Sequence, residues 1–563
     1  MANLLFPNEL KGGGLEWTGR FRGRDVWDVL TAARDGDTSH LNALLSRVPD
    51  IVMAEYWYTP PLHFAVREGH AAATQALLDA GADISHRTLY GGETLLQVAT
   101  ERGHEEVASI LRTEMERRFA GDGTIHPIHE AVQAGDIDTV SAFLDADAAL
   151  VNRGDALGRR PLHYAVENVA EGGSLSTGAR EGPPLARGAE MVELLLDRGA
   201  DIDATGFSSD DRLGGQGFRP ITLALWKHPY WPQRNDYDTA RRLLAGGAEY
   251  TATIAAALGD EERLRELLRR DSRFADQPEP GGKRPLSAAA ERNHAAIVDL
   301  LLDAGADPNL PEGPNCPRGY ALWAASRFGH RAVAERLLEA GADPNAMVES
   351  SGTPTSSAVD DDMRALMYCY GGRMDFMGHF WKGNIDALAA LLDAKPELFD
   401  EGVCGDGFTM CVSEGHEWII RMMLSRGLRV PGVVTICQTY LWRNLDLARL
   451  LLEHDMDPNL PNWQQVRPLH HMAAKGEVAT ARLFLEFNAD PFARDEEYLA
   501  TPLAWAARAG QEEFVRFWLD TVEGALGAEP ATPLWANAGA WARRREHSAI
   551  ARLLNAADGP LNA

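Results

Sequence analysis

The residues of this chain best suited to chemistry come in adjacent pairs. Arg67-Glu68, Glu167-Asn168, Glu291-Arg292 and Ser413-Glu414 set carboxylates beside cations, an amide or a hydroxyl. Trp226-Lys227, Trp381-Lys382 and Trp442-Arg443 set an indole beside a cation, and Arg327-Phe328 sets a guanidinium beside a phenyl ring. Two chemistries fit this composition. Indole and guanidinium groups mixed with carboxylates are typical of the few residues that dominate protein-binding surfaces. Alternatively, two carboxylates held about 6.5–9.5 Å apart can hydrolyse a glycosidic bond with inversion, and tryptophan faces suit sugar rings. No His-Glu-x-x-His motif, paired cysteine or phosphate-loop lysine occurs, so no metal and no cofactor is expected.

The elements that must hold these pairs are short and repeated. In "YWYTPPLHFAVREGHAAATQALLDAGAD", Pro61 can open a helix because its missing N–H would be unpaired there. Leu62, Ala65 and Val66 follow at helical spacing, and Gly69 stops the helix after about two turns. A second helix from Ala71 to Asp79 carries Ala76, Leu77 and Leu78, and Gly81 stands where a left-handed C-cap is wanted. Neither helix is stable alone at this length, so the unit must stack on copies of itself. Copies begin at Pro127-Ile128-His129, Pro161-Leu162-His163 and Pro468-Leu469-His470, with looser ones at Pro220, Pro285, Pro502 and Pro533. The Gly-Ala-Asp stop recurs at Gly199, Gly305 and Gly341, while Asp455 and Asn488 replace the glycine elsewhere. Gly36-Asp37, Gly135-Asp136, Gly259-Asp260 and Gly383-Asn384 mark a longer period on top of the first.

These motifs resemble the ankyrin repeat, a β-turn and two antiparallel helices with a period near 33 residues. The resemblance implies about fifteen repeats between Asp25 and Ala557. It implies an all-α solenoid of stacked helix pairs with short β-turn loops, preceded by an N-terminal extension or cap at residues 1–24. The degraded stretch from Gly352 to Gly372 suggests a bend. Arg160, Arg219, Arg284 and Arg467 precede proline where the family usually has threonine. Arginine has no oxygen to cap a helix, so those helix starts need another solution.

In such a stack the first helices and turn tips line a concave groove. The resemblance therefore places Glu68, Glu167, Asn168, Trp226, Lys227, Glu291, Arg292, Arg327, Trp381, Glu414 and Trp442 on the groove, just before the first helix ends. Tyr56, Trp57 and Tyr58 fall at a turn tip on the same side. Trp323, Trp505 and Trp535 are expected in the packing, as are the Pro-Leu-His and inter-helix histidines. Insertions at 169–188 and 228–237 interrupt two repeats, and the second carries Tyr230, Trp231 and Tyr237. Insertions in such arrays emerge as loops and often bind ligands. Contacts are expected to concentrate around Glu167, Asn168, Trp226, Lys227 and these two loops.

The formal charge of −27 over 563 residues argues against a nucleic-acid partner. Five cysteines without a Cys-x-x-Cys pair suggest a reducing compartment. The start "MANLLFPNELKGGG" does not read as a signal peptide, and no run is long and apolar enough to span a membrane. The expected location is cytoplasmic. The leading expectation is a binding scaffold whose Trp/Glu/Arg-lined groove takes a protein or peptide segment. The alternative is an enzyme or small-polar-ligand receptor, most plausibly carbohydrate-active, with Glu167 and Glu68 the first catalytic candidates.

Overall fold

The structure, a computed structural model, describes residues 4–11, 21–169, 188–206, 217–226, 236–312, 321–346, 352–374, 376–399, 401–430, 444–531 and 533–557. Among them the elements are helices, and β pairing is limited to isolated bridges such as Tyr56 with Thr59 and Arg87 with Thr94. The chain divides into two compact units, residues 28–373 and residues 1–27 with 374–563.

In the 28–373 unit an inner helix alternates with an outer one. Inner helices include Pro61–Glu68, Pro127–Ala134, Ala252–Leu258, Pro285–Glu291 and Ala321–Phe328. Their outer partners include Ala71–Asp79, Ile137–Ala146, Glu261–Arg270, Ala295–Asp303 and Arg331–Glu339. Every residue of Pro285–Glu291 is buried, whereas Glu261–Arg270 buries only Leu264 and Leu267. Runs of alanine (Ala255 to Ala257, Ala288 to Ala290) let consecutive inner helices pack closely. Helices this short hold together only because each is covered by its neighbours.

The other unit repeats the scheme with inner helices Glu401–Glu414, Pro468–Lys475, Pro502–Ala509 and Ala538–Arg544. Their outer partners are Glu417–Ser425, Val478–Glu486, Glu512–Thr521 and Ser548–Ala557. Trp505 is buried in this unit, and its indole Nε1 donates to Asp495 at 2.8 Å.

Two glycine roles separate clearly. Gly305 has φ +93° and open space around a would-be Cβ, so it is there for its backbone conformation. Gly69 also has positive φ, but a Cβ would lie 2.6 Å from Nδ1 of His104 in the next repeat. Asp455 and Asn488 take φ of 62° and 63° at the stops where glycine is missing.

Histidines join each repeat to the next. Nε2 of His70, His104, His294 and His330 bonds the carbonyls of Arg34, Arg67, Ala257 and Glu291, at the ends of the preceding inner helices. At two of the four arginine starts, the Pro-Leu-His imidazole bonds the backbone N–H of the arginine itself, whereas the Arg219 and Arg284 starts carry no side-chain cap. Nδ1 of His163 accepts from the Arg160 N–H, and Nδ1 of His470 accepts from that of Arg467, each at 3.1 Å. Nε2 then carries the hydrogen and donates to Phe218 O and to Ala493 O. The side chains of all four arginines reach neighbouring turns. Arg160 pairs with Asp201 at 2.7 Å, Arg467 pairs with Asp490 at 3.2 Å, and the Arg284 guanidinium donates to the carbonyls of Asp276 and Pro311. Arg219 pairs with Asp203 at 2.8 Å and with the buried Glu279. Asparagines after the Gly-Ala-Asp stop add a clamp: Asn309 donates to Gly341 O and accepts from Asp343 N.

The stretch from Gly352 to Gly372 keeps an outer helix, Asp361–Cys369, while turns replace the inner helix. The hydroxyls of Thr353, Thr355, Ser356 and Ser357 are buried there. Ser357 Oγ accepts the indole N–H of Trp323 at 2.9 Å, which places Trp323 in the packing.

Candidate binding cleft

One cleft of the 28–373 unit lies where consecutive inner helices end. It encloses about 450 Å³ and is lined by Tyr237, Arg241, Leu258, Glu291, Arg292, His294, Phe328 and His330. Glu291 and Arg292 come from the end of Pro285–Glu291, Phe328 from the end of Ala321–Phe328, and the histidines from inter-helix turns. Tyr237 opens the helix Tyr237–Ala245, which Asp236 caps through the Thr239 N–H. The insertion at 228–237 thus leaves and re-enters the described chain beside the cleft, at Trp226 and Asp236.

Charge in the cleft is largely internally balanced. Glu291 is 3 % exposed and pairs with Lys283 at 2.7 Å, while Lys283 also reaches Glu312 at 2.9 Å. Burial alone would raise the Glu291 pKa, but Lys283 and Arg292 more than offset this and hold the carboxyl below its usual range. The Arg292 guanidinium lies 4.7 Å from the centre of the Trp226 ring and 3.5 Å from Glu291. Its Nε donates to Tyr237 Oη at 3.2 Å. Burial lowers the pKa of His294, which leaves it a neutral lining group. Arg241 is the exposed cation of the wall and pairs only loosely, at 3.1 Å, with the exposed Asp238. A second hollow of about 490 Å³, against the outer helix Glu105–Phe119, is lined by Arg112, Thr113, Glu116, Arg117 and Asp122 and offers no aromatic face.

The residues singled out by sequence do not form one cluster. Glu291 and Arg292 line the cleft, and Trp226 lies beneath Arg292 at 7 % exposure, so its ring is packed rather than open to the groove. Arg327 is exposed beside Phe328. Glu68 is exposed and pairs at 2.7 Å with Arg67, whose buried guanidinium covers the Phe64 ring. Glu167 lies 3.8 Å from Arg159, which also holds Asp155 and stacks on Tyr164. Glu68 and Glu167 stand on Pro61–Glu68 and Pro161–Val169, with the inner helices Leu95–Glu101 and Pro127–Ala134 between them in the chain. The two carboxylates offered for catalysis are therefore each bound to an arginine of their own repeat. Trp381 is half-buried under Lys382, and Glu414 is exposed, both in the other unit. The Asn168 side chain, Lys227, Tyr230, Trp231 and Trp442 lie outside the described residues.

Tyr56 is buried at 5 % exposure, while Tyr58 stands 49 % exposed. Tyr56 and Thr59 exchange both backbone hydrogen bonds, which closes a two-residue hairpin with Trp57 and Tyr58 at its tip. Their φ angles are +47° and +57°. This is the conformation for which Asn-Gly is the usual pair, and two aromatics hold it under strain.

Sequence reasoning missed Arg241 and Leu258 and gave His294 and His330 a purely structural role. The histidines do tie repeats together, and they line the cleft as well. Arg241 lies one helical turn after Tyr237, a spacing that becomes informative only once Tyr237 is known to face the cleft.

The ankyrin-repeat family models match residues 29–118, 157–207, 231–312, 252–348 and 437–529, more than half of the chain. Among curated proteins, the chain is 32 % identical over 208 residues to the E3 ubiquitin-protein ligase XBAT33 of Arabidopsis thaliana, covering 33 % of this chain and 39 % of that one. It is 29 % identical over 170 residues to the probable E3 ubiquitin-protein ligase XBOS33 of Oryza sativa subsp. japonica, covering 29 % of this chain and 31 % of that one. It is 30 % identical over 190 residues to the human ankyrin repeat and MYND domain-containing protein 1, covering 32 % and 18 %. The matched segment spans less than two-fifths of each of these relatives. No helix among the described residues is long and apolar enough to cross a membrane. Stacked helix pairs, left-handed stops, repeat-to-repeat histidines and family matches agree: the chain belongs to the ankyrin-repeat family.

Proposed function

We propose that this chain is a protein-interaction scaffold and that the cleft at Glu291, Arg292 and Phe328 anchors a peptide segment of its partner. The supporting observation is the cleft's composition. An ionised, buried Glu291 and a stacked Arg292 are fixed by their neighbours, while Tyr237 and Phe328 supply aromatic walls. Rigid aromatic and arginine groups bind with little loss of side-chain freedom, and they dominate binding energy at such surfaces. Arg241 adds an exposed cation to the cleft wall, where it would favour an acidic residue on the incoming segment. The ligase names of the plant relatives describe those proteins, and only repeat segments are shared with them.

Selection of peptides from a random display library on the immobilised chain tests this reading. Enriched peptides should bind Phe328→Ala and Arg241→Glu at least ten-fold more weakly than the native protein. Failure to enrich any peptide, or enriched peptides that bind both variants at full strength, would remove the cleft from the interaction surface.

A further inference from the structure

A second candidate site, independent of this cleft, lies in the unit formed by residues 1–27 and 374–563. Its inner helices Pro468–Lys475, Pro502–Ala509 and Ala538–Arg544 pack in sequence, and their last turns carry Lys475, Arg508 and Arg544. One cation at a helix C-terminus is ordinary, because it answers the helix dipole. Two guanidiniums drawn to one ring are not. Arg508 lies 5.1 Å from the centre of the Trp541 ring, and Arg545, which follows the helix Ala538–Arg544, lies 5.7 Å from it. Arg508 also covers the Tyr498 ring at 4.3 Å.

The chain itself supplies the comparison. Arg67 holds the same place in Arg67-Glu68-Gly69 that Arg508 holds in Arg508-Ala509-Gly510, and Glu68 pairs with Arg67 at 2.7 Å. Alanine stands where that carboxylate was. Burial lowers the Arg508 pKa and the Arg545 charge lowers it further, to about 9. Burial acts on Arg219 too, but there Glu279 and Asp203 outweigh it and raise the guanidinium. Arg508 is thus held charged beside a like charge, and ring faces attract both cations without neutralising them. Arg508 and Trp541 are buried while Arg545 is half-buried, so the inner cation has a more accessible one at its side. The Trp541 indole N–H is buried and has no acceptor among the described residues, which adds a third donor on the same ring.

From this we infer that Arg508, Arg545 and Trp541 form a carboxylate-binding site, which takes an acidic side chain or a chain terminus of a partner segment. Guanidinium forks match both carboxylate and phosphate oxygens. A carboxylate carries one charge and gives up less hydration than a phosphate near its second ionisation, which suits a largely buried, ring-lined site. Bound there, it accepts guanidinium N–H bonds and offsets the repulsion between the two cations.

The test titrates sodium acetate into the intact, isotope-labelled chain, with sodium chloride keeping the ionic strength constant. It follows the indole N–H resonance of Trp541 by NMR, assigned with Trp541→Phe. The resonance should shift to saturation, and Arg545→Gln should bind acetate about ten-fold more weakly. If Arg545→Gln loses its helical circular dichroism, Arg545→Lys replaces it and should also bind more weakly, because it keeps the charge and loses the fork. No saturable shift in the native chain, or native affinity in the folded variant, would overturn the inference. Phosphate binding more tightly than acetate would overturn the carboxylate assignment. Two peptides then separate the sources: an acetylated, amidated tripeptide with a central glutamate, and acetylated triglycine with a free carboxyl group. The tighter binder names the source, and binding of neither would remove the site from partner recognition.

Discussion

The Arg292 guanidinium covers the Trp226 ring at 4.7 Å and stands 3.5 Å from the Glu291 carboxylate, so one side chain joins an aromatic, an anion and two repeats. Removing it should uncover the indole and leave Glu291 to Lys283 alone. Arg292→Ala is expected to destabilise the 28–373 unit by about 3 kcal/mol, the usual scale for breaking a buried charge pair. Arg292→Lys should recover only part of this, because an ammonium does not stack as a guanidinium does. Urea unfolding followed by tryptophan fluorescence measures both, and an unchanged midpoint for Arg292→Ala would contradict the assignment.

The Trp57-Tyr58 hairpin tip gives a prediction of opposite sign. Replacing the pair by Asn-Gly relieves two left-handed aromatics, each of which costs on the order of 1 kcal/mol. It also loses the partial burial of Trp57, so the net expectation is a gain of about 1 kcal/mol. A thermal melt decides it. A lower melting temperature would mean that Trp57 packing outweighs backbone strain.

Gly69 and Gly305 should respond differently to the same change. Gly305→Ala meets only the backbone preference, about 1 kcal/mol, because nothing lies near the new Cβ. Gly69→Ala adds a collision with the His104 ring, which bonds Arg67 O, and should lower the melting temperature clearly more. Equal effects would show that the ring moves aside at no cost.

Acid should weaken the stack through its buried imidazoles. Burial pushes His163 down to about 4 and His470 down to about 3, and both accept a backbone N–H at Nδ1. In the unfolded chain these groups take up protons near pH 6.5, where the native protein cannot. Their stabilisation is therefore complete above about pH 6.5 and is lost as pH falls towards 4, up to about 3 kcal/mol for His163. His163→Gln should be less stable at pH 7 and show a shallower loss between pH 6.5 and 4.5 in urea titrations. Parallel curves for variant and native protein would refute the role given to His163.

Asp495 should act in the opposite direction. Burial pushes its carboxyl up to about 7, although the Trp505 indole and the Tyr498 and Ala500 N–H groups bond it. A raised carboxyl contributes stability that is present below about pH 4 and is lost as pH rises through 7. Asp495→Asn should flatten that limb of the stability profile, and a variant with the native slope would show that Asp495 stays ionised throughout.

The repeating unit, the helix pairs, their left-handed stops and the family were legible in the amino-acid sequence. Those features are set by groups within a few residues of each other: Pro61 opening a helix, Gly69 closing it, Gly305 reversing the chain. The sequence also showed that Arg160, Arg219, Arg284 and Arg467 could not cap their helices. Where those arginines go instead depended on packing: Arg219 meets Glu279, and His163 bridges its own helix start to Phe218, partners that become neighbours only when repeats stack. The same limit applied to the site. Sequence placed Trp226, Glu291 and Arg292 on one face, but whether an indole is open or covered depends on the side chain of another repeat that lies above it. Trp226 is covered because Arg292 finds there both a π-face and a route to Glu291, a choice made by packing rather than by local propensity.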